Sequence, residues 1–269
     1  MTRYRLIPAL LGAVLLAACD LSGSAVQDIT GPAASARIKF HNFSPNAVGV
    51  NFFGNGTKLT GVASSSCSPP ATAADSTACT TVGEESTIGT KFGQVASGGL
   101  YDAVAPAQYA LAAKIAADST TVSTASLAIA DGKYYSFFMS GPYDPVAKTA
   151  ASFVVEDPIP TTVDDTLAYV RLVNAVSDGT GPLTLFITRT DTTKAVSAVG
   201  SGVAYKGAGA FTSVAAGGYT LVVKYASGTT LISRSAAVSM SGGHVYTVTA
   251  YGTTATSSTL ALDFTENQR

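Results

Sequence analysis

Apolar and polar residues alternate with a period of two over much of the chain beyond position 36. Tyr109, Leu111, Ala113 and Ile115 point one way while Ala110, Ala112 and Lys114 point the other, and Tyr219, Leu221, Val223 and Tyr225 repeat the pattern opposite Thr220 and Lys224. Successive side chains of a strand face opposite sides of its sheet, so these runs predict β-strands with Tyr, Leu and Val on a core face. The pairs Asn55-Gly56, Asp131-Gly132, Gly217-Gly218 and Gly242-Gly243 punctuate the runs at the spacing of short antiparallel strands and are read as turns. One stretch breaks the alternation. Leu6 to Leu16 is continuously apolar, follows Arg3 and Arg5, and leads into Leu16-Ala17-Ala18-Cys19.

The strand pattern is duplicated. Val104, Ala105, Tyr109, Leu111 and Lys114 recur as Val214, Ala215, Tyr219, Leu221 and Lys224 at an offset of 110, and Gly132, Tyr135 and Gly141 recur as Gly243, Tyr246 and Gly252 at 111. Ala36, Ile38, Lys39, Phe40 and Asn42 match Ala168, Val170, Arg171, Leu172 and Asn174, but at an offset of 132, so the first copy carries an insertion of about 22 residues. The Ser-, Thr- and Ala-rich segment near 64–85 is its place. About seven strands in roughly 110 residues is the rhythm of a β-sandwich. The expected fold is all-β, with two tandem Ig-like antiparallel β-sandwich domains over 36–155 and 167–269. Between them, 156–166 holds two prolines and four acids and reads as an extended linker.

The basic start, short apolar middle and small residues at Leu16, Ala17 and Ala18 have the layout of a secretory signal over 1–18. Crossing the roughly 30 Å of hydrocarbon takes about 20 apolar residues, and this run has about half that. The tetrad resembles the bacterial lipobox, in which a peptidase cuts before a cysteine that carries diacylglycerol. Cys19 is then the lipid (palmitate) attachment site, Leu16, Ala17 and Ala18 are the signal-peptidase recognition residues, and 19–35 is a flexible tether. An ordinary signal peptide is the alternative. With Cys19 committed to lipid, Cys67 and Cys79 remain as a pair inside the insertion. The cell envelope permits a disulfide between them, which would stabilise the local structure by up to about 3 kcal/mol. Free thiols are the alternative, and no further Cys or His lies nearby to complete a zinc site.

Composition sharpens the class. Only 12% of residues are charged, there are 26 Gly and no Trp, and Thr, Ser, Val and Ala suit strands and turns better than surface helices. Loss of Arg3 and Arg5 with the signal moves the formal net charge from -1 to -3, which gives no basic patch for a nucleic acid.

Ala36 to Ala47 with its Phe43-Ser44-Pro45-Asn46, the strand Tyr101 to Lys114, and the echo from Val203 through Phe211 to Val223 resemble the bacterial family called domain of unknown function 4397. The resemblance implies an exported, often lipid-anchored protein with the domain in tandem, and no settled biochemical activity. Two features depart from the family: the insertion in the first copy, and Gln108 where a Gly usually precedes the Tyr.

Catalytic candidates are few. His41 and His244 fall in different copies, at positions where the other copy has Val173 and Lys133, and are expected to be satisfied or exposed. There is no nucleophile elbow or phosphate loop, and Gly200-Ser201-Gly202 lacks the third glycine of a dinucleotide site. No catalytic residue, metal ligand or cofactor is therefore assigned. The acid pairs Glu84-Glu85, Glu156-Asp157 and Asp164-Asp165 are expected to be solvated, with Ca²⁺ at the linker pairs as the alternative. Tyr134, Tyr143 and Tyr251 are the best candidates for an exposed aromatic surface. Two functions stand side by side. One is a non-enzymatic, lipid-anchored envelope module in the periplasm or on a membrane, binding a protein or glycan through its loops. The other is an envelope hydrolase with a site between the domains, using His41, His244 or the acidic linker. Asp20 after the cysteine retains lipoproteins at the inner membrane in some enteric bacteria; both membranes stay open.

Overall fold

The computed structural model describes residues 35–61, 85–191 and 193–267. The lipobox residues, Cys19 and both insertion cysteines, Cys67 and Cys79, lie outside the described residues. Described strands of the first half are β1 (Ala36–Asn42), β2 (Val50–Gly54), β3 (Thr57–Lys58), β4 (Gln94–Val95), β5 (Asp102–Val104), β6 (Ala107–Ile115), β7 (Thr121–Ile129), β8 (Tyr134–Asp144) and β9 (Thr149–Glu156). Those of the second are β10 (Leu167–Val176), β11 (Leu183–Arg189), β12 (Val196–Val203), β13 (Thr212–Ala215), β14 (Gly217–Tyr225), β15 (Thr230–Met240), β16 (Val245–Thr253) and β17 (Thr256–Asn267).

The chain is all-β. Each half has two sheets: β1-β8-β9, with β4 and β5 both pairing β1, and β3-β2-β6-β7 in the first recur as β13-β10-β16-β17 and β12-β11-β14-β15 in the second, where β13 takes the place of β5. Pairing is antiparallel except where β1 runs parallel to β8 and β10 parallel to β16. Ile38 faces Tyr135 and Val170 faces Tyr246, the same register in each half. These two parallel pairs stand among otherwise antiparallel sheets. They arise because the chain returns to β1 and β10 only after the intervening sheet has been built.

Core faces fall where the alternation places them. Phe40, Phe52, Leu111, Ala113, Phe137 and their neighbours fill the first sandwich, and Leu172, Leu185, Leu221, Val223 and Val248 fill the second. Burial of this kind contributes roughly 25 cal/mol per Å² of apolar surface removed from water, as an upper estimate. A third cluster, Phe43, Phe138, Phe153, Val173, Ala175 and Tyr251, lies between the β1-β8-β9 sheet and the β10-β16-β17 sheet. The sheets thus stack in four layers within one compact unit. All nine residues of β16 are buried, because its sheet is covered on both faces.

Local geometry explains several repeated residues. Asn42 Nδ2 donates to Thr90 O at 2.8 Å, and Asn174 Nδ2 donates to Val203 O at 3.0 Å, each tying a central strand to the chain beside it. The Tyr135 hydroxyl accepts Ala130 N–H at 3.2 Å and the Tyr246 hydroxyl accepts Ser241 N–H at 2.9 Å, so the paired tyrosines pin the turn that precedes them. Asn55 and Gly56 both have positive φ (50° and 82°), as a tight hairpin between β2 and β3 requires. Gly217-Gly218 is a correction: these residues open β14 rather than form a turn.

Candidate functional site

The seam between the halves gathers most of the buried charge. Lys39 and Arg171, the matched cations of the repeat, sit on β1 and β10 with their side chains turned away from their own sandwich cores, and each is 1% exposed. The Arg171 guanidinium is fully engaged. Nη2 pairs with the Asp157 carboxylate, Nη1 donates to Glu156 O at 3.0 Å, Nε donates to Thr247 Oγ1 at 3.1 Å, and the Phe211 ring lies 4.8 Å away. The other Asp157 oxygen accepts the hydroxyls of Tyr101 and Ser136, both at 2.7 Å. Lys39 Nζ donates to Glu266 O at 3.1 Å and to Asn267 Oδ1 at 3.2 Å, and lies 4.3 Å from the centre of the Tyr101 ring. Asn267 Nδ2 closes the network on Thr247 Oγ1 at 2.7 Å.

Burial sets the electrostatics. It lowers the Lys39 ammonium to about 8, although Asp157 and Asp263 pull the other way. It raises the Tyr101 phenol, and the neighbouring Asp157 charge raises it further. Asp263 on β17 is likewise raised by burial. The arrangement holds Lys39, Arg171 and Asp157 in a buried layer, with Tyr101 and Asp263 half-buried at its edge.

At the edge of this seam a cleft of about 610 Å³ opens between the segment Glu85–Leu100 and β17. Ile88, Leu100 and Phe264 give it apolar walls, and Glu85, Asp263 and Glu266 supply carboxylates. The acids are engaged locally. Glu85 accepts Ser97 N–H on both oxygens at 3.1 Å, and Glu266 pairs with His244 at 2.6 Å. Beside it, Asp102 accepts the Ser97 hydroxyl at 3.2 Å, and burial, with the Glu85 charge adding to it, pushes its carboxyl up to about 7.

The candidates from the sequence do not converge. His244 is exposed and its partner is Glu266, whereas His41 is 2% exposed in the seam with neither ring nitrogen hydrogen-bonded. That corrects the expectation of a satisfied or exposed histidine at 41. The two rings share no cleft with a hydroxyl and a carboxylate among the described residues. Tyr143 and Tyr251 are buried, which corrects their reading as an exposed aromatic surface, since Tyr251 stacks on Phe43 at 4.1 Å in the seam; Tyr134 is half-buried. Asp157 is buried and ion-paired, so the linker acids are not all solvated. Among the described residues no cluster of three or more His, Cys, Asp or Glu has the geometry of a metal site, and no helix is long and apolar enough to cross a membrane.

The seam network is the feature that sequence reasoning missed. Its signal was present in the matched Lys39 and Arg171, which fall on the polar face of otherwise apolar strands. No protein-family model matches the chain, and no curated protein is similar to it.

Proposed function

We propose that the chain is a lipid-anchored, non-enzymatic binding module of the bacterial cell envelope, tethered through Cys19 and belonging with the tandem domains of unknown function that it resembles. The observation that carries the reading is the polarity of the folded body. The chain enters at Ala36, beside the Asp131–Tyr134 turn, where Ser35 donates to Asp131 and Arg37 N–H bonds Lys133 O at 2.9 Å. The loops 44–49, 116–120 and 145–148 gather at the opposite end, joined by Ala116 N–H to Gly49 O at 3.0 Å, Tyr143 N–H to Pro45 O at 3.0 Å and the Lys148–Asp118 pair at 2.9 Å. Val146, 92% exposed, sits at the tip of this cluster.

In the second half Asp178 binds the backbone N–H groups of Thr254 and Ala255 in the β16–β17 turn, and Gly141 lies beside Ser177. Loops from both halves therefore gather at the end opposite the entry at Ala36. Such a body presents loops to a protein or glycan partner while its lipid holds the other end. Two or three acyl chains hold stably where one binds only marginally, at about 0.8 kcal/mol per buried CH₂.

The test is Cys19→Ala. It is expected to abolish incorporation of radiolabelled palmitate and to release the protein from the membrane fraction or leave it as precursor. Labelling that persists in the variant would refute the anchor.

A further inference from the structure

His41 is a polar ring in a layer with nothing to bond it. It stacks on Phe138 at 4.2 Å and is tilted against Phe43 at 5.2 Å, and neither Nδ1 nor Nε2 has a hydrogen-bond partner. A valine, Val173, fills the matching position of the facing sheet at no exposure at all, so the layer accepts an apolar residue there.

Lys39 and Arg171 act on this ring, and the charges around them in the seam come from four places. Lys39 lies on its own strand and Arg171 on β10. Asp157, after β9, is committed to Arg171, Tyr101 and Ser136, and on β17 Asp263 accepts Thr265 while Glu266 accepts His244. β8 and β16 contribute the neutral Ser136, Ser140, Thr247, Thr249 and Tyr251. Cations thus flank the ring while each nearby carboxylate is engaged elsewhere, and a buried charge without a partner is costly.

We propose that the seam is an acid-operated joint: a proton on His41 adds a third positive charge beside Lys39 and Arg171, and the two sandwiches part while each keeps its own core. The cores are separate clusters from the seam, so opening need not unfold either. Burial, reinforced by Lys39 and Arg171, holds the ring well below its ordinary value of 6.5 while the seam is closed. Below pH about 6.5 the open form therefore binds a proton that the closed form refuses. The seam's stability is complete above that pH and is lost as pH falls, with the opening constant rising up to tenfold per unit until the closed-state value is reached.

Hydroxyl-radical footprinting of the full chain in detergent, read by mass spectrometry between pH 7 and 4, tests this. Oxidation of Phe43, Phe138 and Tyr251 is expected to rise by up to tenfold per unit below pH about 6.5 while Phe52 and Leu221 in the sandwich cores stay protected. H41V is expected to keep the seam residues protected over the same range, and H41Q, which keeps a polar side chain, to behave alike. A flat wild-type profile, an equal rise in either variant, or cores and seam becoming reactive together would each overturn the proposal.

Discussion

Asp157 is the residue on which the seam's charge balance turns. It is a fully buried carboxylate whose two oxygens serve Arg171 on one side and Tyr101 and Ser136 on the other. Replacing it with Ala leaves the guanidinium buried without its counter-charge, which is expected to lower the unfolding free energy in a urea titration by about 3–5 kcal/mol. The double variant D157L/R171M removes both charges and is expected to recover most of that loss. A loss under about 1 kcal/mol in the single variant would contradict the account of the pair. In the sequence Asp157 is one of four acids among prolines, and nothing in its spacing distinguishes it from its solvated neighbours; its role comes from a cation on the facing sheet.

At the scale of elements the sequence was most legible. The alternation at Leu111, Ala113 and Ile115, and at Tyr219, Leu221 and Val223, marks core faces in β6 and β14 because each of those strands has one covered face. It was least legible where glycine serves packing instead of a turn. A Cβ on Gly218 would lie 2.5 Å from Thr190 Oγ1, so the residue allows β14 and the end of β11 to approach, and the Gly-Gly pair resembles a turn only in composition. Gly242 makes an even closer approach, since a Cβ there would lie 1.7 Å from the backbone oxygen of Asp165. Gly242→Ala must displace the linker or the β15–β16 turn, and is expected to destabilise the second half by about 1–3 kcal/mol or more. Thermal unfolding followed by circular dichroism would show this as a lower midpoint, and an unchanged midpoint would contradict the close packing.

On the scale of the whole molecule, the all-β class was readable and the stacking of the sheets across the seam was not. Strands buried on both faces usually read as continuous apolar runs. Here the outer face of β1 carries Lys39 and His41, and that of β16 carries Thr247 and Thr249, so both strands look half-exposed. Polar residues buried across the seam imitate a solvated surface, and only the facing sheet shows otherwise. The resulting body is a single four-layered stack.

Its proposed place at a membrane rests on Cys19. The most direct measurement is the mass of the N-terminal peptide of the protein purified from membranes. A peptide that begins at Cys19 and carries a diacylglyceryl group is the predicted result, and one that begins elsewhere, or an unmodified Cys19, would contradict it.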